Sequence, residues 1–93
     1  MIKHFKCRET AKVFTRAGSR RLPQTIQQRA FMRLNQIDAA TELDDLRLPP
    51  SNRLEALSGN RAGQFSIRIS NQWRICFVWL GTDATEVEIV DYH

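Results

Sequence analysis

The chain has 93 residues, 42% of them hydrophobic, with a net charge of +4 and a pI of about 9.7. That length makes one domain, residues 1–93, able to bury roughly 60–65% of its unfolded surface. No apolar run approaches the roughly 18 residues of a membrane span and no charged-then-apolar leader is present, so neither a membrane partner nor secretion is expected. Cys7 and Cys76 make no disulfide framework; both read as small core residues, which suits a cytoplasmic, reducing setting.

The charge is uneven. Residues 1–33 hold nine Lys and Arg against one acid, Glu9, a balance of +8; residues 34–93 hold five Arg against nine acids, a balance of −4. A basic half points to a polyanion, and nucleic acid is the usual one.

Ile2 to Cys7 alternates and reads as a short first strand, with His4 on its surface. Glu9 to Arg16 reads as a short helix with Ala11, Val13 and Phe14 as its apolar stripe and Gly18 as its stop. Ser19-Arg20-Arg21 is a basic loop. Pro23 suits the first turn of a helix. From there Ile26, Ala30, Leu34, Ile37 and Ala40 recur at helical spacing, an amphipathic helix of about 18 residues that can cover one face of a sheet. Arg29 and Arg33 share a face of it; Phe31 and Met32 widen the apolar stripe. Thr41 caps a further turn with Asp44 three positions on. Pro49-Pro50-Ser51-Asn52 is a rigid connection. The order is strand, helix, helix, short turn, then an antiparallel run of strands, an α+β domain.

Two of those strands fix each other's register. Phe65, Ile67 and Ile69 form one apolar set; Trp73, Ile75, Phe77 and Trp79 form the other. A two-residue turn at Asn71-Gln72 would pair Arg68 with Ile75 and mix the faces. A three-residue loop, Ser70-Asn71-Gln72, pairs Ile69 with Trp73, Ile67 with Ile75 and Phe65 with Phe77, so the pattern selects it. Arg68 then stands opposite Arg74, an unfavourable pairing of like charges unless they are solvated or an anion lies between them.

The groups able to do chemistry cluster in the last third: Arg53, Glu55, Arg61, Arg68, Arg74, Asp91, Tyr92 and His93. The chain has no P-loop, dinucleotide fingerprint or nucleophile elbow, and no metal-ligand spacing, so neither a metal nor another cofactor is expected. The set suits cleavage of RNA, whose 2′-OH is a built-in nucleophile. Glu55 can serve as base and His93 as acid, with Arg74 and Arg68 or Arg61 on the phosphate.

The run Asn52-Arg53-Leu54-Glu55-Ala56-Leu57-Ser58-Gly59-Asn60-Arg61-Ala62-Gly63, with Ser66-Ile67-Arg68-Ile69, Gln72-Trp73-Arg74-Ile75-Cys76-Phe77 and the terminal Asp91-Tyr92-His93, resembles the HigB toxins of the RelE/ParE superfamily. Met1-Ile2-Lys3 with Phe5, and Asp38-Ala39-Ala40-Thr41-Glu42-Leu43, fit as well. The resemblance implies a RelE-like fold, an N-terminal strand and two helices packed on a mainly antiparallel sheet of four to five strands. It implies a cytoplasmic type II toxin, a ribosome-dependent, metal-independent mRNA endonuclease that leaves a 2′,3′-cyclic phosphate. Its partners would be the ribosome, mRNA and a HigA-type helix-turn-helix antitoxin, with operator DNA met only through the antitoxin complex. Arg74 matches the family's phosphate-facing arginine, and Asp91, Tyr92 and His93 match its terminal triplet. Glu55 and Ser58 stand where some HigB proteins have His and Lys; the YoeB branch has a Glu base in a similar place. The catalytic set is therefore Glu55, Arg74, Asp91, Tyr92 and His93, with Arg53, Arg61, Arg68, Arg20, Arg21, Arg29 and Arg33 on RNA. The alternative is a non-catalytic RNA- or antitoxin-binding module with the same fold.

If His93 is the acid, RNA cleavage by the protein should fall as pH rises past about 6.5, the ordinary imidazole value. A flat single-turnover profile through that range would count against it.

Overall fold

A computed structural model describes residues 1–92; His93 lies outside the described residues. Two helices, α1 (Arg8–Phe14) and α2 (Gln24–Ala39), precede a four-stranded antiparallel sheet. Its strands are β1 (Glu55–Ala56), β2 (Phe65–Arg68), β3 (Trp73–Leu80) and β4 (Asp83–Asp91), in the order β1-β2-β3-β4. Short 3-10 turns at Leu43–Arg47, Pro50–Asn52 and Gly59–Arg61 fill the connections.

Helix α2 forms where the apolar spacing requires it. Ile26, Ala30, Leu34 and Ile37 are buried along one stripe, and they pack with Ile67, Ile69, Ile75, Phe77, Val87 and Ile89 of the sheet. Pro23 precedes the first turn at the N-cap position. Gln27 ties the incoming loop to that turn: its Nε2 donates to the carbonyls of Ser19 and Leu22, and its Oε1 accepts the Ser19 N–H. Phe31 packs on the core, but Met32 is exposed, contrary to expectation. It falls outside the stripe set by Ile26, Ala30 and Leu34.

Helix α1 is shorter than expected and ends at Phe14, because Arg16 takes the left-handed conformation (φ 64°) before Gly18 is reached. Its buried residues are Thr10 and Val13, with Phe14 at the core margin, its ring 5.4 Å from that of Phe5. Thr10 links helix to sheet, its Oγ1 accepting the Ile89 N–H at 2.9 Å. The turn after α2 is capped by Glu42 rather than Thr41, and Asp45 rather than Asp44 closes the capping box. Asp45 accepts from the N–H groups of Glu42 and then Thr41, which holds its carboxyl below the usual range.

The expected first strand is not continuous. Ile2 and Phe5 make isolated parallel bridges with Ala84 and Val87 of β4. Between those contacts β4 carries Glu86 in the left-handed region (φ 53°), where β3 and β4 also shift register between Cys76 and Val78. That bulge turns the β4 backbone out of line and interrupts the ladder. The β2–β3 register is the one the apolar pattern selects: Phe65 opposite Phe77, Ile67 opposite Ile75 and Arg68 opposite Arg74.

Thr10→Val preserves shape and removes the acceptor, leaving the Ile89 N–H buried without its partner. A loss of about 1–3 kcal/mol is expected in urea unfolding; a change within about 0.3 kcal/mol would show that the bond contributes nothing net.

Candidate active site

The register divides the sheet. Ile67, Ile75 and Ile89 look toward α2; Ser66, Arg74 and Cys76 lie on the opposite face, and so does Glu55, which pairs with Ser66. Arg74 is the centre of that second face. Its guanidinium, on a residue only 8% exposed, is held by two oxygens. Nε donates to Ser66 Oγ at 2.8 Å and Nη2 donates to the Arg53 carbonyl at 2.7 Å. The Glu55 Oε1 lies 3.5 Å from Nη2, and that carboxylate is half exposed. The Tyr92 ring lies across the guanidinium, 5.6 Å from ring centroid to Cζ. Beside the group is an open cavity of about 320 Å³ lined by Glu55, Ala56, Leu57, Ser58, Arg61 and Tyr92.

Arg53 has a part that its side chain did not suggest. It adopts the left-handed conformation (φ 47°) after the Pro50–Asn52 turn, and this directs its carbonyl to Arg74. A non-glycine residue there is strained, and such strain is concentrated at functional sites. Asn52 supports the turn from inside: buried, it donates through Nδ2 to Gln36 Oε1 and to the carbonyls of Leu46 and Leu48.

Arg61 stands at the cavity wall, its Nη1 2.8 Å from Glu88 Oε1 and 3.1 Å from Gln64 Oε1. The Glu88 bond raises the Arg61 pKa above its ordinary value, so the charge at this wall is fixed. Cys76, opposite Glu88 and fully buried, has its thiol pushed up by burial.

The other candidates make different contacts. Asp91 pairs with Trp73 and accepts from Gln72 Nε2 at 3.1 Å; it holds the end of β4, while the next residue, Tyr92, turns to Arg74. Arg68 is opposite Arg74 in register, but its guanidinium bonds Asn71 Oδ1 while Arg74 reaches across β2 to β1. The two cations thus meet different partners, which relieves the like-charge opposition. Arg29 Nη1 donates to the Ile69 carbonyl and Arg33 Nε to that of Arg68, both at 3.3 Å. Burial, then the nearby Arg29, lowers the Arg33 pKa. Arg20 and Arg21 are exposed in the loop before α2, where the Ser19 hydroxyl accepts the N–H groups of Arg21 and Leu22.

Sequence reasoning missed Ser66 and the Arg53 carbonyl. The first had a signal, for once Arg68 opposes Arg74, Ser66 is a diagonal neighbour of Arg74 on the same face. The second had none, since a left-handed arginine leaves no mark in composition.

A family model described as the RelE-like toxin of the type II toxin–antitoxin system HigB matches residues 3–93. Toxin HigB-1 of Vibrio cholerae serotype O1 is 44% identical over 61 residues, which is 66% of this chain and 64% of that protein. Endoribonuclease HigB of Proteus vulgaris is 34% identical over 93 residues, the whole of both chains. An uncharacterized protein of Haemophilus influenzae is 32% identical over 57 residues, 61% of this chain and 56% of that one.

The raised Cys76 pKa means less thiolate, the reactive form, at a given pH. Iodoacetamide at about pH 8 should spare Cys76 in the folded protein and label it once urea is added. Labelling in the folded state at the rate of a free thiol would contradict the burial.

Proposed function

This chain belongs to the RelE-like HigB toxins of type II toxin–antitoxin systems, and on that premise we propose that it is an endoribonuclease cleaving messenger RNA in the ribosomal A site. The observation that carries the reading is the Glu55–Arg74 pair at the edge of an open cavity under Tyr92. A carboxylate and an oriented guanidinium beside space for a ribose-phosphate suit proton abstraction and phosphate stabilisation.

In this mechanism Glu55 takes the proton of the ribose 2′-OH. The O2′–P bond forms as the P–O5′ bond breaks, and the leaving O5′ is protonated by His93, the residue after Tyr92 in the chain. The products are a 2′,3′-cyclic phosphate and a 5′-OH. Arg74 meets the charge that builds on the phosphoryl oxygens, and the phosphate competes with Glu55 for Nη2. Arg61, its charge secured by Glu88, adds a second cation at the cavity wall. Tyr92 stacks on a base, worth about 1–3 kcal/mol, and Asp91 with Gln72 holds the strand end that presents Tyr92. Ser58 brings no charge, so Arg61 takes the place of the lysine that some relatives carry there.

Type II systems pair a toxin with an antitoxin. The partner proposed here is a helix-turn-helix protein of the HigA type, through which the toxin reaches operator DNA. Arg20, Arg21, Arg29, Arg33, Arg53 and Arg68 are proposed to contact ribosomal RNA or mRNA. Arg29 and Arg33 keep donors beyond those engaged with Ile69, Arg68 and Ser51. No helix among the described residues is long and apolar enough to cross a membrane, and the proposed site of action is the cytoplasm.

The test is single-turnover cleavage of mRNA on programmed ribosomes, with mapping of the new 5′ ends. Arg74→Ala should slow cleavage by about 10²–10³-fold. Glu55→Gln should slow it by about 10²–10⁴-fold with ribosome binding retained. Unchanged cleavage in Glu55→Gln removes Glu55 from the role of base. A wild-type protein that binds translating ribosomes and makes no cuts would overturn the nuclease reading in favour of a binding module.

A further inference from the structure

We infer that Ser66 is a positioning residue for Arg74, fixing through its hydroxyl the direction in which the guanidinium meets the scissile phosphate. The inference rests on Arg74 as the phosphate clamp and adds what makes that clamp directional. An arginine on a strand has several staggered rotamers, and a free guanidinium samples many directions. Here the fork is fastened at two points on one side: Nε to Ser66 Oγ at 2.8 Å and Nη2 to the Arg53 carbonyl at 2.7 Å. With those donors engaged, the remaining edge of the planar group is left for a ligand. Glu55 and Tyr92 stand beside it, at 3.5 Å from Nη2 and 5.6 Å from Cζ.

The two anchors differ in kind. The Arg53 carbonyl is main chain, and substitution cannot delete it. The hydroxyl is the only side-chain anchor of Nε–H among the described residues. Ser66 is fully buried, so water does not reach it to replace the hydroxyl. It lies inside the sheet, paired with Glu55 of β1 on one side and Cys76 of β3 on the other. A purely structural role would need only a small residue here. A positioning role needs an acceptor at that spot, because a donor aimed at a charge that develops in the reaction is effective only when already in place.

Ser66→Thr and Ser66→Val add the same bulk and differ only in the hydroxyl, so their comparison isolates the acceptor; Ser66→Ala, which adds no bulk, serves if both prove unstable. In NMR of the RNA-free protein, the Arg74 Nε–H should exchange with water slowly in wild type and Ser66→Thr. It should exchange about tenfold faster or more in Ser66→Val and Ser66→Ala. In single-turnover cleavage Ser66→Val should lose about 10–100-fold in maximal rate, with half-saturation moving less than about threefold, and Ser66→Thr should recover most of the rate. In an Arg74→Lys background, which has no Nε–H, the difference between Thr and Val should vanish. Equal exchange in the Thr and Val variants overturns the inference whatever the rates, and so does an equal rate deficit in both. If the wild type makes no cuts, the nuclease reading fails, and the exchange measurement still decides whether Ser66 holds Arg74.

Discussion

A sheet has two faces, and a slip of one residue between neighbouring strands exchanges them. The pairing of Ile67 with Ile75 is therefore the constraint on which the molecule depends. It places the isoleucines and Phe77 against Leu34 and Ile37 of α2. By the same operation it places Ser66, Arg74 and Glu55 together on the other side. Core and site are two readings of one register. A change in the Ser70-Asn71-Gln72 loop that moved the register would bury charge against α2 and expose the isoleucines, so folding and site assembly cannot be separated.

Holding a guanidinium in a nearly closed place is costly unless its donors are met. Among the described residues the structure meets them mainly with neutral oxygens, a hydroxyl and a carbonyl, and sets the half-exposed Glu55 carboxylate at 3.5 Å. The charge of Arg74 is thus supported from within and only partly neutralised from outside. Arg61 is treated otherwise: Glu88 neutralises it directly, and Lys6 lies 3.8 Å from the same carboxylate. Two arginines on one face have two different electrostatic settings.

The fold was legible where period and register speak. The stripe from Ile26 to Ile37 predicts α2 and its buried face, and the alternation in residues 65–79 predicts the hairpin register. The sequence was silent where the backbone departs from regular geometry. Left-handed Arg16, Arg53 and Glu86 shorten α1, aim a carbonyl at Arg74 and break the edge ladder of the first segment. None of these three is glycine or asparagine, so propensity gave no warning. In the candidate site, Glu55, Arg74 and Tyr92 come together, and Arg61 lines the adjoining cavity. Asp91, adjacent in sequence, turns to Gln72 because strand residues alternate.

Two arginines of α2 also have a bearing on solubility. Among the described residues β1 pairs only with Phe65 and Ser66, leaving the rest of β2 without a strand on that side. The carbonyls beyond, of Arg68 and Ile69, are occupied by Arg33 and Arg29. On the far side of the sheet, the first residues of the chain bridge to β4 at Ala84 and Val87. Exposed strand edges are templates on which a second chain can add. Here one margin carries positively charged stoppers and the other a strip of the chain's own backbone. The sheet is therefore guarded against edge-to-edge association by its own side chains and its own beginning.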